Sequence, residues 1–399
     1  MAQPKALTFK TAQDNMELIV HGQGVAQLYA TEDNSLTFCD MPHENGIRIR
    51  IKEDYIEVRR LPSLEPLVDP ANKKGLTLGA TYWVSLDAQN QRLTAGLGEA
   101  RVDTAIYTYQ FPKADKPFLE SLTNLLVNNA TVFRLLRDPI TRRVPLIIRP
   151  TDDLSMDDIA GGKIVAKSHL TPTGQKLFNC VSGRRFVLDD LTFPDFSKAI
   201  ERSIADPNGW CHKRLKEKSR EFDKDHPNEL ETYLRITIGE NNGESPGIPY
   251  VMEIWPPQHY SPVHNHGGSN AIIRVLHGEI NVSLYPYLGA FVEPFATTDF
   301  KKDDITWLSQ NLNQIHKLSN TKEDTCITIQ CYLYEEGDKG HYDYFDYLDG
   351  QNRKQQYEPD SDMDFVDFKA LMKQEWIAAL AEAKKPKRNI LQVMTCRGL

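Results

Sequence analysis

Three histidines carry the most specific chemistry in this sequence. Within Trp255-Pro-Pro-Gln-His-Tyr-Ser-Pro-Val-His-Asn-His266, His264 and His266 stand two residues apart. Alternate residues of a strand project to one face, so the two imidazoles can converge on a single point. His316 follows beyond a further predicted strand and opens a His-x-x-x-Asn phrase that ends at Asn320. Three neutral imidazoles hold a divalent first-row metal and leave coordination positions open for other ligands. With no carboxylate in the set, the site keeps the full charge of the ion and favours an anionic ligand such as a thiolate. A ferrous ion, Fe(2+), is the expected occupant; a hydrolytic zinc is the chemical alternative. A second candidate is Arg235 in Tyr233-Leu-Arg235, because a planar guanidinium makes a bidentate, charge-assisted fork to a carboxylate.

These residues need a strand-rich scaffold. From Tyr233 to Tyr334 short strands alternate with Gly and Pro turns, the pattern of a small β-barrel. Ahead of it, Phe196, Ile200 and Ile204 share one helical face. Asp206 with Pro207 predicts the start of a second helix running to about Phe222. Residues 351–364 read as a polar linker, followed by an amphipathic helix with Phe365, Phe368, Met372 and Trp376 on one stripe. Residues 1–112 read as a β-sandwich-like domain. Ile47, Ile49 and Ile51 alternate with Arg48 and Arg50, and further runs fall at Met16–Val20, Val25–Ala30, Tyr55–Leu61, Tyr82–Leu86 and Val102–Phe111. Residues 113–190 read as a connecting subdomain. It is expected to hold a helix from about Pro117 through Leu122, Leu125 and Leu126, then a strand over Val144–Arg149. The expected domains are therefore 1–112, 113–190, a cupin-like catalytic unit at 191–350, and 351–399. The class is mainly β, with helices flanking the barrel.

Across roughly 193–350 the chain resembles the type I cysteine dioxygenases, the thiol-dioxygenase branch of the cupins. The resemblance rests on the three histidines and the Asp206-Pro-Asn-Gly-Trp210 turn. It also rests on Tyr233-Leu-Arg235, on Trp255 and Ser261 ahead of His264, and on Tyr334. It implies a non-haem Fe(2+) enzyme that adds both atoms of O2 to a small thiol such as cysteine or 3-mercaptopropionate. His264, His266 and His316 would be the ligands. Arg235 and Tyr233, with Tyr332, would bind substrate, Tyr334 would reach substrate and oxygen, and Trp255, Ser261 and Gln330 would form the outer layer. Three departures stand out. The carboxylate ligand usual in cupins is replaced by Asn270 or Ala271, in a motif closed by Gly278. Ala271 also stands where animal members carry the cysteine that becomes linked to a tyrosine. The Ser-x-His-x-Tyr relay of the family reads Gln330-Cys-Tyr-Leu-Tyr334 here. A cupin that binds a carboxylate without oxygenating it, or a metal-dependent lyase or isomerase, are the alternatives. In the first half, the phrase from Tyr82 to Glu99 resembles one hairpin of the farnesoic-acid-methyltransferase-type, lectin-like β module. That implies a carbohydrate or protein ligand for the sandwich.

The rest of the composition narrows the class. A chain of 399 residues with 40 % hydrophobic and 26 % charged residues is expected to fold as two globular units. A net charge of −8 argues against nucleic acid and anionic membranes as partners. No apolar run approaches the ~20 residues that span a bilayer, and the first residues lack a signal-peptide core. The six cysteines form no Cys-x-x-Cys pair, which suits a reducing cytoplasm and buried thiols. Cys331 is expected to pack on the strand face opposite Gln330 and Tyr332, and His259, His277 and His341 to be loop or strand-edge residues.

Overall fold

The computed structural model describes residues 15–41, 43–52, 55–67, 75, 77, 79–141, 143–162, 164–182, 187–239, 250–337 and 344–383. The first part is a β-sandwich of two antiparallel sheets. One has the order Asn15–Glu17, Asn124–Asn128, Asn34–Cys39, Gly46–Ile51, Ile56–Leu61, Glu65–Pro66. The other runs Thr131–Leu136, Gln23–Tyr29, Thr81–Asp87, Arg92–Leu97, Ala105–Gln110. Ile47, Ile49 and Ile51 are fully buried in the layer between the sheets, where they join Leu28, Tyr82 and Val84 of the facing sheet. The alternation along that strand thus becomes core on one side and arginine on the other.

The second part is a cupin barrel, a double-stranded β-helix. Its larger sheet has the order Ile164–Ala166, Ile147–Arg149, Ile305–Leu308, Asn270–His277, Cys326–Leu333, Tyr250–Trp255, Leu234–Gly239, Met363–Asp364. The opposite wall is built from Ala296–Lys301, Glu279–Leu284 and His316–Ser319. Single bridges from His264 to His316 and to Tyr347 join that wall to the hairpin Phe345–Leu348/Lys354–Tyr357. The helices Pro172–Val181, Phe196–Ala205 and Phe365–Ala383 cover the outer face of the larger sheet, with Phe178, Phe196, Ile200, Phe368 and Met372 in one core with Ile254 and Ile329. No helix among the described residues is long and apolar enough to cross a membrane.

Several expectations need correction. Residues 113–190 form no separate subdomain. Asn124–Asn128 and Thr131–Leu136 belong to the sandwich, while Ile147–Arg149 and Ile164–Ala166 extend the barrel sheet. The helix at Pro117 ends at Glu120, and Leu125 and Leu126 lie on a strand paired with Phe38 and Thr37. The strand expected over Val144–Arg149 begins only at Ile147. Asp206 caps the carboxyl end of Phe196–Ala205 and opens a turn closed by Gly209 N–H donating to its carbonyl at 2.8 Å; the next helix is Trp210–Glu217. Residues 351–364 are no linker. The Asp362 carboxylate, 1 % exposed, accepts from Arg214 Nε at 2.8 Å and Lys218 Nζ at 3.1 Å. It also accepts from the Arg235 N–H at 2.7 Å, while its own N–H donates to the Arg235 carbonyl at 2.8 Å. His341 and Cys396 lie outside the described residues.

Removing one partner of a buried ion pair leaves a desolvated charge uncompensated, at a cost of about 3–5 kcal/mol. Asp362→Ala is therefore expected to lose about 3 kcal/mol or more in urea unfolding. Asp364→Ala, two residues on and exposed, should change stability by no more than ~0.5 kcal/mol.

Candidate metal centre

The site begins with backbone pairing. His264 and His316 exchange two main-chain hydrogen bonds, each of 3.0 Å, so the two ligand-bearing segments are joined at the ligands themselves. His266 lies one pleat further along. The three rings sit with centroids 4.9, 4.8 and 4.7 Å apart, and their donor atoms fall within 4.8 Å of one another. His264 Nδ1 meets the Pro262 carbonyl at 3.0 Å and His316 Nδ1 meets the Asn313 carbonyl at 3.2 Å. A carbonyl only accepts, so each Nδ1 carries the proton and each Nε2 offers a lone pair to the centre. His266 Nε2 lies 3.0 Å from His316 Nε2, while its buried Nδ1 has no partner.

Burial keeps the imidazoles neutral, which is their ligand form. It lowers His264 to about 4, against the pull of the Pro262 carbonyl, with Arg235 adding repulsion. It lowers His316 to about 3, with His264 adding repulsion. His266 is pushed well down by burial first, then by its two neighbours and Arg235. Converging lone pairs in a dry site repel one another unless a cation lies between them, so the donor set fits a divalent first-row metal.

Beside the histidines lies a buried polar layer. The Tyr332 ring stacks on His266 at 5.5 Å and 18°. Its hydroxyl donates to Gln330 Oε1, and Gln330 Nε2 donates to Glu253 Oε2 and, at 3.2 Å, to Thr328 Oγ1. Arg235 Nη1 donates to Glu253 Oε1 at 3.2 Å. The other edge of the guanidinium, Nε and Nη2, is buried with no hydrogen-bond partner. Tyr233 stacks on Trp255 at 4.3 Å, in line with Phe222. Ala271, fully buried, packs with Leu308 against Tyr332.

Tyr334 is buried just past the end of the strand. Tyr332 is the tyrosine stacked on a ligand, and its hydroxyl is engaged by Gln330. Gln330 thus links Tyr332 to Glu253. Glu253 is absent from the residues expected at the site: in sequence it is the single acid of the apolar run Tyr250–Trp255, with nothing to announce its partners. Burial raises its carboxyl, while Arg235, Lys218 and Gln330 pull it back.

The outer layer is structural. Ser261 Oγ accepts from the Leu318 N–H at 3.0 Å and donates to the Pro262 carbonyl at 3.0 Å. Asn320 Nδ2 holds the Trp255 and Asp324 carbonyls at 2.9 and 2.8 Å, so it ties loops and stays out of the ligand set. His259 is bound to Thr232 and His277 to Glu201, the loop and edge roles expected of them. Cys331 packs on the opposite strand face, in the core beneath the helices.

A further support comes from the sandwich. The loop after Arg92–Leu97 docks on the barrel at Gly98, whose φ of 75° suits glycine and whose missing side chain leaves room for the Pro286 backbone. Arg101, 1 % exposed, donates to Asn313 Oδ1 at 2.7 Å and to the Val144 carbonyl at 2.9 Å. Glu99 accepts from the Gln314 N–H at 2.8 Å. Gln314 in turn donates to the Ser269 carbonyl at 2.8 Å and accepts from the Gly268 N–H at 2.9 Å, bracing the turn after His266. The carbonyl that orients His316 thus belongs to Asn313, a residue gripped by the other half of the chain.

The sequence matches no protein-family model. Among solved structures, similarity extends to the cupin domain of Cnp3 from Schizosaccharomyces pombe, at 11 % identity and a TM-score of 0.21 over 26 % of this chain and 65 % of that one. It extends also to a cupin superfamily protein from Desulfitobacterium hafniense, at 10 % identity and a TM-score of 0.20 over 26 % of this chain and 79 % of that one. A third is an oxalate oxidase in complex with the substrate analogue glycolate, at 14 % identity and a TM-score of 0.20 over 27 % of this chain and 52 % of that one. The chain spans less than two thirds of the first and the third. At these scores the likeness carries no argument about the site, and the barrel is established by its own strand order and bridges.

His316→Ala is expected to abolish stoichiometric metal binding, measured by elemental analysis after anaerobic loading. Residues that orient a ligand typically contribute about 10- to 100-fold to metal affinity. Arg101→Ala, which touches no ligand, should therefore weaken binding by at least ~10-fold in a chelator competition. Full retention in Arg101→Ala would show that the sandwich does not support the site.

Proposed function

We propose that the centre is that of a non-haem Fe(2+) thiol dioxygenase acting on a small thiol that carries a carboxylate. The observation that supports this most strongly is the open edge of Arg235. Nε and Nη2 lie side by side on a guanidinium and form the fork that grips a carboxylate, as Arg137 grips Asp138 in this protein at 2.9 and 2.9 Å. In Arg235 the same edge is buried and has no partner in hydrogen-bond geometry, with the Tyr233 hydroxyl alongside the guanidinium, and the guanidinium charge adds to the burial that lowers His264 and His266. An unpaired buried donor pair is costly, and a substrate carboxylate would satisfy both donors.

The overall step, R–S⁻ + O2 → R–SO2⁻, transfers both oxygen atoms to sulfur and needs no other co-reactant. A ferrous ion, when bound, would supply a site for the thiolate and the redox activity that dioxygen requires. The chain's residues do the rest. Arg235 orients the carboxylate, with Glu253 holding the far edge of the guanidinium so that the fork cannot turn away. The aromatic stack of Tyr233 and Trp255 excludes water from that side. Burial holds the Tyr332 phenol well above its ordinary pKa, and the Glu253 carboxylate reinforces this. Tyr332 therefore stays protonated, donates to Gln330, and leaves its oxygen as an acceptor towards the site. That committed proton is the one observation favouring a second reading, a cupin that binds a carboxylate without oxygenating it.

If Arg235 is the clamp, Arg235→Ala should reduce kcat/KM for cysteine and 3-mercaptopropionate far more than for cysteamine, which has no carboxylate. A charge-assisted bidentate contact in a dry pocket corresponds to roughly 30- to 1,000-fold. Arg235→Lys should restore only part of it. Equal losses for every thiol would assign Arg235 to holding the barrel and remove the basis for a carboxylate substrate. With Ala271 in the place of a crosslinking cysteine, the intact mass should show no loss of two hydrogens. A peptide joining Tyr332 or Tyr334 to any cysteine would contradict this.

A further inference from the structure

A second cavity lies where the sandwich meets the barrel, on the outer side of the strand Asn270–His277. Its volume is about 240 Å³, equivalent to eight waters at ~30 Å³ each. Arg134 enters it from the sandwich. This guanidinium is half-buried, reaches only the amide oxygen of Gln27 at 3.4 Å, and has no carboxylate partner among the described residues. Its burial, with no acid to offset it, pulls its pKa down.

From the barrel side comes Asn270, fully buried, whose Nδ2 has no partner. The Thr171 hydroxyl accepts from the Gly174 N–H at 3.0 Å and donates to Asn270 Oδ1 at 3.3 Å, and the NH2 group is left over. Thr171 and Gly174 also line the cavity and form the first turn of the helix Pro172–Val181, whose positive end favours an anion. No acid is among the lining residues, and Glu335 accepts from the Thr173 hydroxyl at 2.7 Å. Ile272, Trp307, Leu308 and Leu312 supply an apolar part of the wall, and His169, Ser309 and Asn311 add polar groups to it.

We propose that this cavity is a binding site for a small organic carboxylate, separate from the metal centre. Its anionic head would lie between Arg134, the Asn270 amide and the helix start, and its apolar body would lie against Ile272, Trp307 and Leu308. The lining combines a guanidinium without a carboxylate partner, an amide donor left over and a helix amino terminus with the apolar side chains of Ile272, Trp307 and Leu308. A neutral ligand would leave the guanidinium uncompensated, and a bare inorganic anion would leave the apolar wall without a partner.

The test is calorimetric titration of the full-length protein with benzoate, and with benzyl alcohol and inorganic phosphate as comparators. One benzoate per chain is expected, with benzyl alcohol and phosphate each at least ~10-fold weaker. Arg134→Gln and Asn270→Leu should each weaken benzoate by about 10-fold or more. Arg235→Ala should leave it unchanged, which separates this site from the carboxylate clamp at the metal. If Arg134→Gln does not fold, the wild-type comparators and Asn270→Leu decide. The proposal is overturned if wild-type protein binds no benzoate at millimolar concentration, or if phosphate or benzyl alcohol binds equally well. It is also overturned if binding is lost in Arg235→Ala and kept in Arg134→Gln.

Discussion

The pair of main-chain hydrogen bonds between His264 and His316 is the constraint on which the rest of the site depends. These residues lie on segments far apart in the chain, and the bridge places their rings on one side of the barrel wall. The next alternate residue, His266, then has to fall on the same face. With the backbones fixed, the Pro262 and Asn313 carbonyls can select the protonated Nδ1 and turn both Nε2 atoms inward. Burial completes the arrangement by disfavouring the imidazolium. A bound cation would relieve the repulsion between lone pairs that this geometry creates.

The second half of the site follows from charge balance in a dry layer. Arg235 is buried and cannot lose its proton, so it requires an anion. Glu253 meets one edge and is itself held by Gln330, which receives the Tyr332 proton. The chain from Arg235 to Tyr332 thus runs unbroken, and the Nε/Nη2 edge is the part of the guanidinium it does not engage. Asp362 adds a different kind of support. Its carboxylate accepts from the Arg235 N–H and pairs with Lys218, while its own N–H donates to the Arg235 carbonyl. A segment that reads as a polar linker thus fixes the strand that carries the clamp. The sandwich acts in a comparable way through Arg101 and Glu99 on the loop before His316.

Much of this could be read from residue types and spacing. The three-histidine cluster was legible because alternate residues of extended chain share a face, and Ile47, Ile49 and Ile51 were legible because period two leaves no other buried face. The misreadings have physical causes. Phe118, Leu122, Leu125 and Leu126 match a helical period, yet pairing of Leu125 and Leu126 with Phe38 and Thr37 prevailed over that local pattern. Asp206 is equally suited to start a helix or to cap the end of one, and the length of the preceding helix decided it. Asp362 and Glu253 are acids whose burial depends on partners distant in sequence, Lys218 and Arg235, and no local pattern carries that information. The Arg101 contact to Asn313 was invisible for the same reason.

The proposed activity requires that a thiolate and dioxygen react at the three-histidine centre. The most direct test is to load the protein anaerobically with ferrous iron and follow oxygen uptake. Cysteine, 3-mercaptopropionate, mercaptosuccinate and cysteamine would be supplied in turn, with sulfinate measured in the same samples. Uptake of one O2 per sulfinate formed is expected of a thiol dioxygenase here, with carboxylate-bearing thiols preferred over cysteamine. An iron-loaded protein that binds these thiols yet consumes no oxygen with any of them would contradict it, and would leave the barrel as a metal-dependent carboxylate receptor.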